Sequence, residues 1–243
     1  MIQTYPRHSP SSLNMFAMSP ALFVLERVLN LKQVVGAPAH RGTGVEAGVA
    51  VGLKDPKASD EECIDAAYIA YDTASALSPD SRKEAYRESI PGMVRQALEE
   101  LRPYGIPTAT QGLIEQTIDG LSLPIVGYFD FMWEKDGLII DLKTSGTMPS
   151  AIKAAHARQV AFYTTDNQVG LLTYVTPKKC CTYQLERARE HKQALIRLAR
   201  NVEQFLSLSD DPLYFTRITA PDLDSYLWSA PHMRELAYQY WKI

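Results

Sequence analysis

The chain has 243 residues, 46% of them hydrophobic and 22% charged, with a formal net charge of −3. It is long enough to bury a substantial core, and the composition is that of an ordinary soluble globular protein. Overall charge therefore excludes a general attraction to nucleic acid or anionic membrane, and any such binding needs a local basic patch. The cysteines, Cys63, Cys180 and Cys181, are odd in number, and the adjacent pair lacks the spacing of a zinc half-site. A reducing intracellular setting without a disulfide framework is expected.

The apolar patch around residues 15–25 is broken by Ser19 and Pro20 and flanked by Asn14 and Glu26. It falls short of the ~18 apolar residues of a membrane span and lacks the charged-then-apolar order of a signal peptide. A cytoplasmic protein with no membrane partner is expected. Ser9, Ser11 and Ser12 lead into a helical pattern interrupted at Ser19–Pro20, where Pro20 suits the first turn of a second helix capped by Ser19. "GTGVEAGVAVGL" (42–53) reads as a helix packed closely through Gly44, Ala47, Gly48 and Ala50. From Ser59 to about Leu101 the pattern is helical, broken near "LSPDS" and "SIPGM", and suggests a helical insertion in a single domain spanning 1–243.

Residues 110–145 are the most strand-like, with turn signals at Asp119–Gly120 and Asp136–Gly137. Residues 151–165 read as a helix and "VGLLTYVTP" (169–177) as a strand that stops at proline. Residues 182–209 read as one long amphipathic helix, and the aromatic tail as short helical pieces separated by prolines, suited to a lid over the core or a subunit interface. The order implies an α/β fold with a central mixed sheet flanked by helices.

Within "GYFDFMWEKDGLIIDLKTS" (127–145), a four-residue turn "EKDG" sets Trp133 opposite Leu138 and Asp130 opposite Asp141. Phe129, Phe131, Trp133, Leu138, Ile140 and Leu142 then share one apolar face. Tyr128, Asp130, Met132, Ile139, Asp141 and Lys143 share the other. Opposed carboxylates about 4.5–5.5 Å apart at Cβ repel unless a positive group sits between them. A divalent cation would do so, and oxygen ligands suit magnesium or manganese. The plainer alternative is an Asp141–Lys143 pair on a solvated strand face.

These residues resemble the PD-(D/E)XK nucleases, in the RecB-like and phage λ-type exonuclease branch. The resemblance is carried by Gly-x-x-Asp at Asp130, Asp-x-Lys-Thr at Asp141 and Lys143, and Gln-x-x-x-Tyr at Gln159 and Tyr163. The opening "SPSSLNMFAMSP" adds to it. It implies a restriction-endonuclease-like core and hydrolysis of DNA phosphodiester bonds with Mg2+ or Mn2+. Asp130, Asp141 and Glu46 would hold the metal, with the Leu142 carbonyl as a further ligand, and Lys143 would orient water or stabilise developing charge. Glu46 stands where many members carry a histidine after a Gly-Thr pair, and His40 competes for that role. Glu115 would be accessory or merely a polar residue of an alternating strand. Gln159, Tyr163, Arg158, Thr144 and Ser145 would border the DNA. Ser19 replaces the opening cysteine of members that carry a cluster, and three thiolates fall short of four, so no iron–sulfur cluster is expected.

Basic candidates for holding DNA are "RKEAYR" (82–87), Lys178, Lys179 and the 182–209 helix, where Glu186, Glu190 and Glu203 dilute the charge. The leading expectation is an exonuclease of phage or bacterial recombination or DNA degradation. The alternatives are an endonuclease of the same fold and a catalytically silent DNA-binding module. λ-type relatives form rings, so a homo-oligomer stays open.

Overall fold

A computed structural model describes residues 5–243. Among the described residues, the α-helices that precede the strands are α1 (Pro10–Met18), α2 (Pro20–Phe23), α3 (Ala37–Lys54), α4 (Asp60–Ser75), α5 (Lys83–Glu88) and α6 (Ile90–Leu101). The strands are β1 (Ala109–Gln116), β2 (Ile125–Trp133), β3 (Leu138–Thr144), β4 (Val169–Thr176) and β5 (Lys179–Gln184). α7 (Ala154–Tyr163) joins β3 to β4, and α8 (Ala188–Leu206), α9 (Tyr214–Ile218) and α10 (Pro231–Trp241) follow. The five strands form one sheet in the order β1-β2-β3-β4-β5. Its β2–β3 and β4–β5 steps are antiparallel and β3–β4 is parallel, which requires the α7 crossover. This is the mixed, helix-flanked sheet of a restriction-endonuclease-like fold. No described helix is long and apolar enough to cross a membrane.

The chain divides into two compact units. One comprises residues up to Gln33, Glu115–Gly127 and Glu190–Ile243; the other comprises Val34–Ile114 and Tyr128–Arg189.

In the second unit the apolar hairpin face packs as the alternation requires. Phe131, Trp133, Ile140 and Leu142 share a core with Val45 and Val49 of α3 and with Met93, Val94 and Leu98 of α6. On the opposite face of the sheet, Ala157, Val160 and Ala161 of α7 cover Leu172 and Tyr174 of β4. α3 seats on α4 and α6 through Gly44, Gly48 and Gly52, one helical turn apart. A Cβ at Gly44 would lie 2.9 Å from the Ala67 carbonyl, and one at Gly52 2.7 Å from Leu98. Gly52 thus extends the line of close approach that the sequence suggested through Ala47 and Ala50, which are half-buried.

The long helix expected from residue 182 begins later. Thr176 and Lys179 close a tight turn, and Cys180, Cys181, Thr182 and Tyr183 continue as β5, with Tyr174 opposite Cys181. Thr182 bonds across to Thr173 at 2.9 Å. Helical backbone starts only beyond Arg187, whose φ of 50° breaks the chain direction. The β-branched and aromatic side chains, packed on a central strand, outweigh the helical periodicity that follows them.

In the first unit, Ser9 and Ser19 cap α1 and α2 with their side chains. Trp228, Met233 and Ala237 of the aromatic tail pack with Ala21, Leu22 and Leu25, so the tail contributes to this unit's core. His8, fully buried, ties the three segments together. Its Nε2 lies 3.1 Å from Glu203 and its Nδ1 3.3 Å from the Tyr5 hydroxyl. Glu203 also accepts from the Ser122 and Leu123 amides, both at 2.9 Å. An ionised Glu203 needs a donor at Nε2, so the neutral ring carries its proton there and accepts from Tyr5 at Nδ1.

Burial lowers the His8 pKa more than Glu203 raises it. Burial pushes the Glu203 carboxyl up, but the two amides and His8 outweigh it and the net shift is downward. Both groups bind protons more readily when unfolded, so acid weakens this unit. The His8 contribution is lost as pH falls below 6.5 toward its lower folded value, and the Glu203 contribution at still lower pH. The unfolding midpoint should fall between pH 7.5 and 5.5, by on the order of a few degrees. His8→Gln, which cannot titrate, should flatten that dependence in thermal melts; an equal slope in both proteins would contradict the assignment.

Candidate active site

The β2–β3 register pairs Trp133 with Leu138, Met132 with Ile139 and Phe131 with Ile140. The next pair outward is Asp130 and Asp141, the arrangement the turn length implied. There the ladder gives way to a side chain, for the Leu142 amide donates to Asp130 Oδ2 at 2.7 Å. Asp141 is fully buried, and Asp130 is 9% exposed.

The two carboxyls differ in support. Both oxygens of Asp141 are buried, and Oδ1 has no hydrogen-bond partner. Its relief is ionic, from Lys143 Nζ at 2.5 Å from Oδ2. Burial and then the Asp141 charge hold the Asp130 carboxyl well above the ordinary carboxylate range, and Glu46 pushes in the same direction. Burial disfavours the charged Lys143, but the two carboxylates more than offset it, so its pKa is raised. Lys143 is thus a fixed ammonium, able to donate hydrogen bonds or stabilise negative charge but not to abstract a proton.

α3 brings Glu46 to this face. A Cβ at Gly42, one turn before Glu46, would lie 3.7 Å from Thr144 Oγ1 at the end of β3. Glu46 is near enough to act on Asp130 electrostatically, and its Oε1 accepts from Gln111 Nε2 at 2.9 Å. Gln111 sits inside β1 with φ 53°, a left-handed conformation that costs energy in a non-glycine residue. The neighbouring Gly112 makes room, since a Cβ there would collide with the Phe129 ring. His40 lies elsewhere on the same helix, its Nε2 bonded to the Val35 carbonyl at 3.0 Å.

α7 supplies the remaining wall. Gln159 Nε2 donates to the Tyr163 hydroxyl at 2.9 Å, so the two polar groups satisfy each other one turn apart. Burial and then Asp141 raise the Tyr163 pKa, which keeps the phenol neutral. His156 and Tyr174, which no motif indicated, meet beside them: His156 Nδ1 is 2.8 Å from the Tyr174 hydroxyl. That hydroxyl accepts from the Lys153 amide, so its own proton points to Nδ1 and the ring's proton sits on Nε2. Burial, then the Lys143 charge, lowers the His156 pKa to about 4, so the ring is neutral near pH 7. Arg158 is half-buried, Thr144 and Ser145 are half-buried at the end of β3, and Glu115 is exposed. The Ser145 hydroxyl is spent on the Thr147 carbonyl at 2.6 Å.

The residues fit a hard cation. The unpartnered, buried Asp141 Oδ1 beside the Asp130 carboxyl forms an acceptor set that Lys143 balances only at Oδ2. Among the described residues no three His, Cys, Asp or Glu side chains converge into a ready cage. Glu46 faces Gln111 instead.

A buried acidic pair and a lysine on a β-hairpin, opposite a helical glutamate, define a nuclease-type centre on a restriction-endonuclease-like fold. The family model described as the PD-(D/E)XK nuclease superfamily matches residues 7–221, and the chain belongs to that superfamily. No curated protein matches it. Among solved structures it is similar to the one titled "Crystal structure of SSO0001", at 17% identity and a TM-score of 0.39, covering 78% of this chain and 95% of that one.

Proposed function

We propose that this nuclease is a metal-dependent exonuclease that hydrolyses phosphodiester bonds of linear DNA, acting in phage or bacterial recombination or DNA degradation. The observation that carries the reading is Asp141: a fully buried carboxylate whose one partner is Lys143, with Oδ1 left without a hydrogen bond, set against Asp130. A fold retains such a group at a cost in stability, and a cation-bound state removes that cost. The exonuclease branch rests on the ordered Gly-x-x-Asp, Asp-x-Lys-Thr and Gln-x-x-x-Tyr motifs.

Asp130 and Asp141 would hold Mg2+ or Mn2+, with the Leu142 carbonyl, and with Glu46 once it leaves Gln111. The ion would supply a water of lowered pKa and neutralise charge on the phosphorane-like transition state. Lys143 orients that water or donates to the non-bridging oxygens. Tyr163 and Gln159 hold each other in place beside Lys143, while Thr144, Ser145 and Arg158 border the strand.

The test is incubation of labelled linear duplex, single strand and closed circular DNA with Mg2+, Mn2+ or EDTA. Metal-dependent loss of linear forms alone is expected. Cutting of the closed circle would make the protein an endonuclease of the same fold. Binding without any metal-dependent cleavage would make it a silent DNA-binding module.

A further inference from the structure

Arg41 lies on the core-facing side of α3 and is 6% exposed, yet it has no carboxylate partner among the described residues. Its Nε is buried without a hydrogen bond. The planar group lies over the Tyr86 ring, 4.8 Å from the centroid, as its one specific contact. The other buried-stem arginine of this unit behaves differently: Arg102 also buries its Nε but spends its fork on Asp60 at 3.3 Å and the Ala58 carbonyl at 3.0 Å. The cations nearest Tyr86 are similarly committed. Arg82, 5.6 Å from the same ring, is bidentate to Asp80 at 3.0 Å, and Arg87 is bidentate to Asp72. The arginines of "RKEAYR" are thus largely neutralised, and the one with an uncommitted fork is Arg41.

A guanidinium stays charged in proteins. Burying one without an anion is costly, and a stacked ring offsets only part of that cost. Burial accordingly lowers the Arg41 pKa. Such a group waits for an anion from outside the protein, and its planar fork matches phosphate bidentately. Its place on α3 says which anion. It immediately precedes Gly42, which abuts Thr144, and it lies five residues before Glu46. Five residues are about 7–8 Å along the helix and about 140° around it, so Arg41 and Glu46 stand on different faces of α3.

We propose that Arg41, stacked on Tyr86, is a phosphate-binding residue that grips the nucleic-acid strand. That the strand is one being cut rests on the nuclease reading; the phosphate site does not. A terminal phosphomonoester and an internal phosphodiester share the required chemistry.

The experiment compares wild type with Arg41→Met and Arg41→Lys. Binding of a fluorescein-labelled single strand, with a 5′-phosphate or a 5′-hydroxyl, is read by anisotropy in EDTA across a salt series, beside thermal melts without DNA. Arg41→Met should melt no lower than wild type, since it removes a buried unpaired charge while filling its volume. It should bind about ten- to a hundredfold more weakly, with a salt slope shallower by about 0.7. Arg41→Lys should keep the slope and lose affinity with the fork. Loss confined to the phosphorylated strand assigns the terminal phosphate, and loss on both strands an internal phosphodiester. Unchanged affinity and slope in Arg41→Met would overturn the proposal, as would affinities that follow melting temperature instead of charge across the series. A wild type that binds but never cuts in Mg2+ would sink the nuclease reading while leaving the phosphate site standing.

Discussion

Asp141→Ala is expected to abolish metal-dependent cleavage, by a factor of about 10³ or more, and to abolish stabilisation by added Mg2+ or Mn2+. The two expectations have one cause. Asp141 is the fully buried carboxylate that faces a second carboxyl and has Lys143 as its one partner. Truncating it removes an acceptor for the ion and the repulsion that raises the Asp130 pKa, while Lys143 keeps the attraction of Asp130. A core aspartate that merely supported the fold would give no metal-dependent change in stability. Differential scanning fluorimetry with and without Mg2+ or Mn2+ supplies the second readout. Wild type should be stabilised by the ion in proportion to its occupancy, and Asp141→Ala should not. A variant that still cuts, or a wild type indifferent to divalent ions, would remove Asp141 from the centre.

Lys143→Ala should show the reverse pattern in stability. It strips the sole ionic relief from Asp141, 2.5 Å away, and leaves two adjacent carboxyls in the interior. Breaking such a pair costs about 3–5 kcal/mol when both partners are buried; with the Lys143 side chain 25% exposed, the lower end applies. Added Mg2+ or Mn2+ should recover most of that loss, so the ion-induced rise in melting temperature should exceed that of wild type. Cleavage should stay depressed by about 10²–10³ even at saturating metal, because the donor to the developing charge is gone. Asp141→Ala with Lys143→Ala should restore the melting temperature without restoring activity, which a double-mutant cycle would show as a strong coupling. A single Lys143→Ala variant as stable as wild type in EDTA would mean that the lysine does not offset the burial of the two carboxyls.

The β2–β3 hairpin was legible because two independent signals agree on one register. The Asp136–Gly137 turn fixes which residues face each other, with Gly137 at φ 60°, and the alternation of Phe129, Phe131 and Trp133 fixes which face is buried. Residues whose roles depend on contacts far along the chain were not legible. Gln111 reaches Glu46 because its backbone is left-handed inside a strand, and only Gly112 beside it hinted at an unusual approach. His156 matters through Tyr174, which the α7 crossover sets beneath it. Nothing in the sequence singles out Arg41, whose position depends on Tyr86 of α5 covering it. Glu203 read as dilution of a basic helix and is instead the acceptor for His8, Ser122 and Leu123. β5 was hidden because the helical period after Arg187 is strong and the strand before it is short.

The His8–Glu203 bond joins positions 195 apart, and that separation bears on how the molecule is made. A ribosome presents every residue of the second unit, through Arg189, before it has released Glu190–Ile243, the last portion of the first. The β2–β3 hairpin, the parallel crossover and their helices can therefore assemble from local and medium-range pairings while the first unit still lacks more than half of its residues. Closing so long a loop adds an entropic delay of its own. During that interval the apolar faces of α1 and α2 have no Trp228 or Met233 to cover them, which makes the early N-terminal segment the stretch most in need of a chaperone.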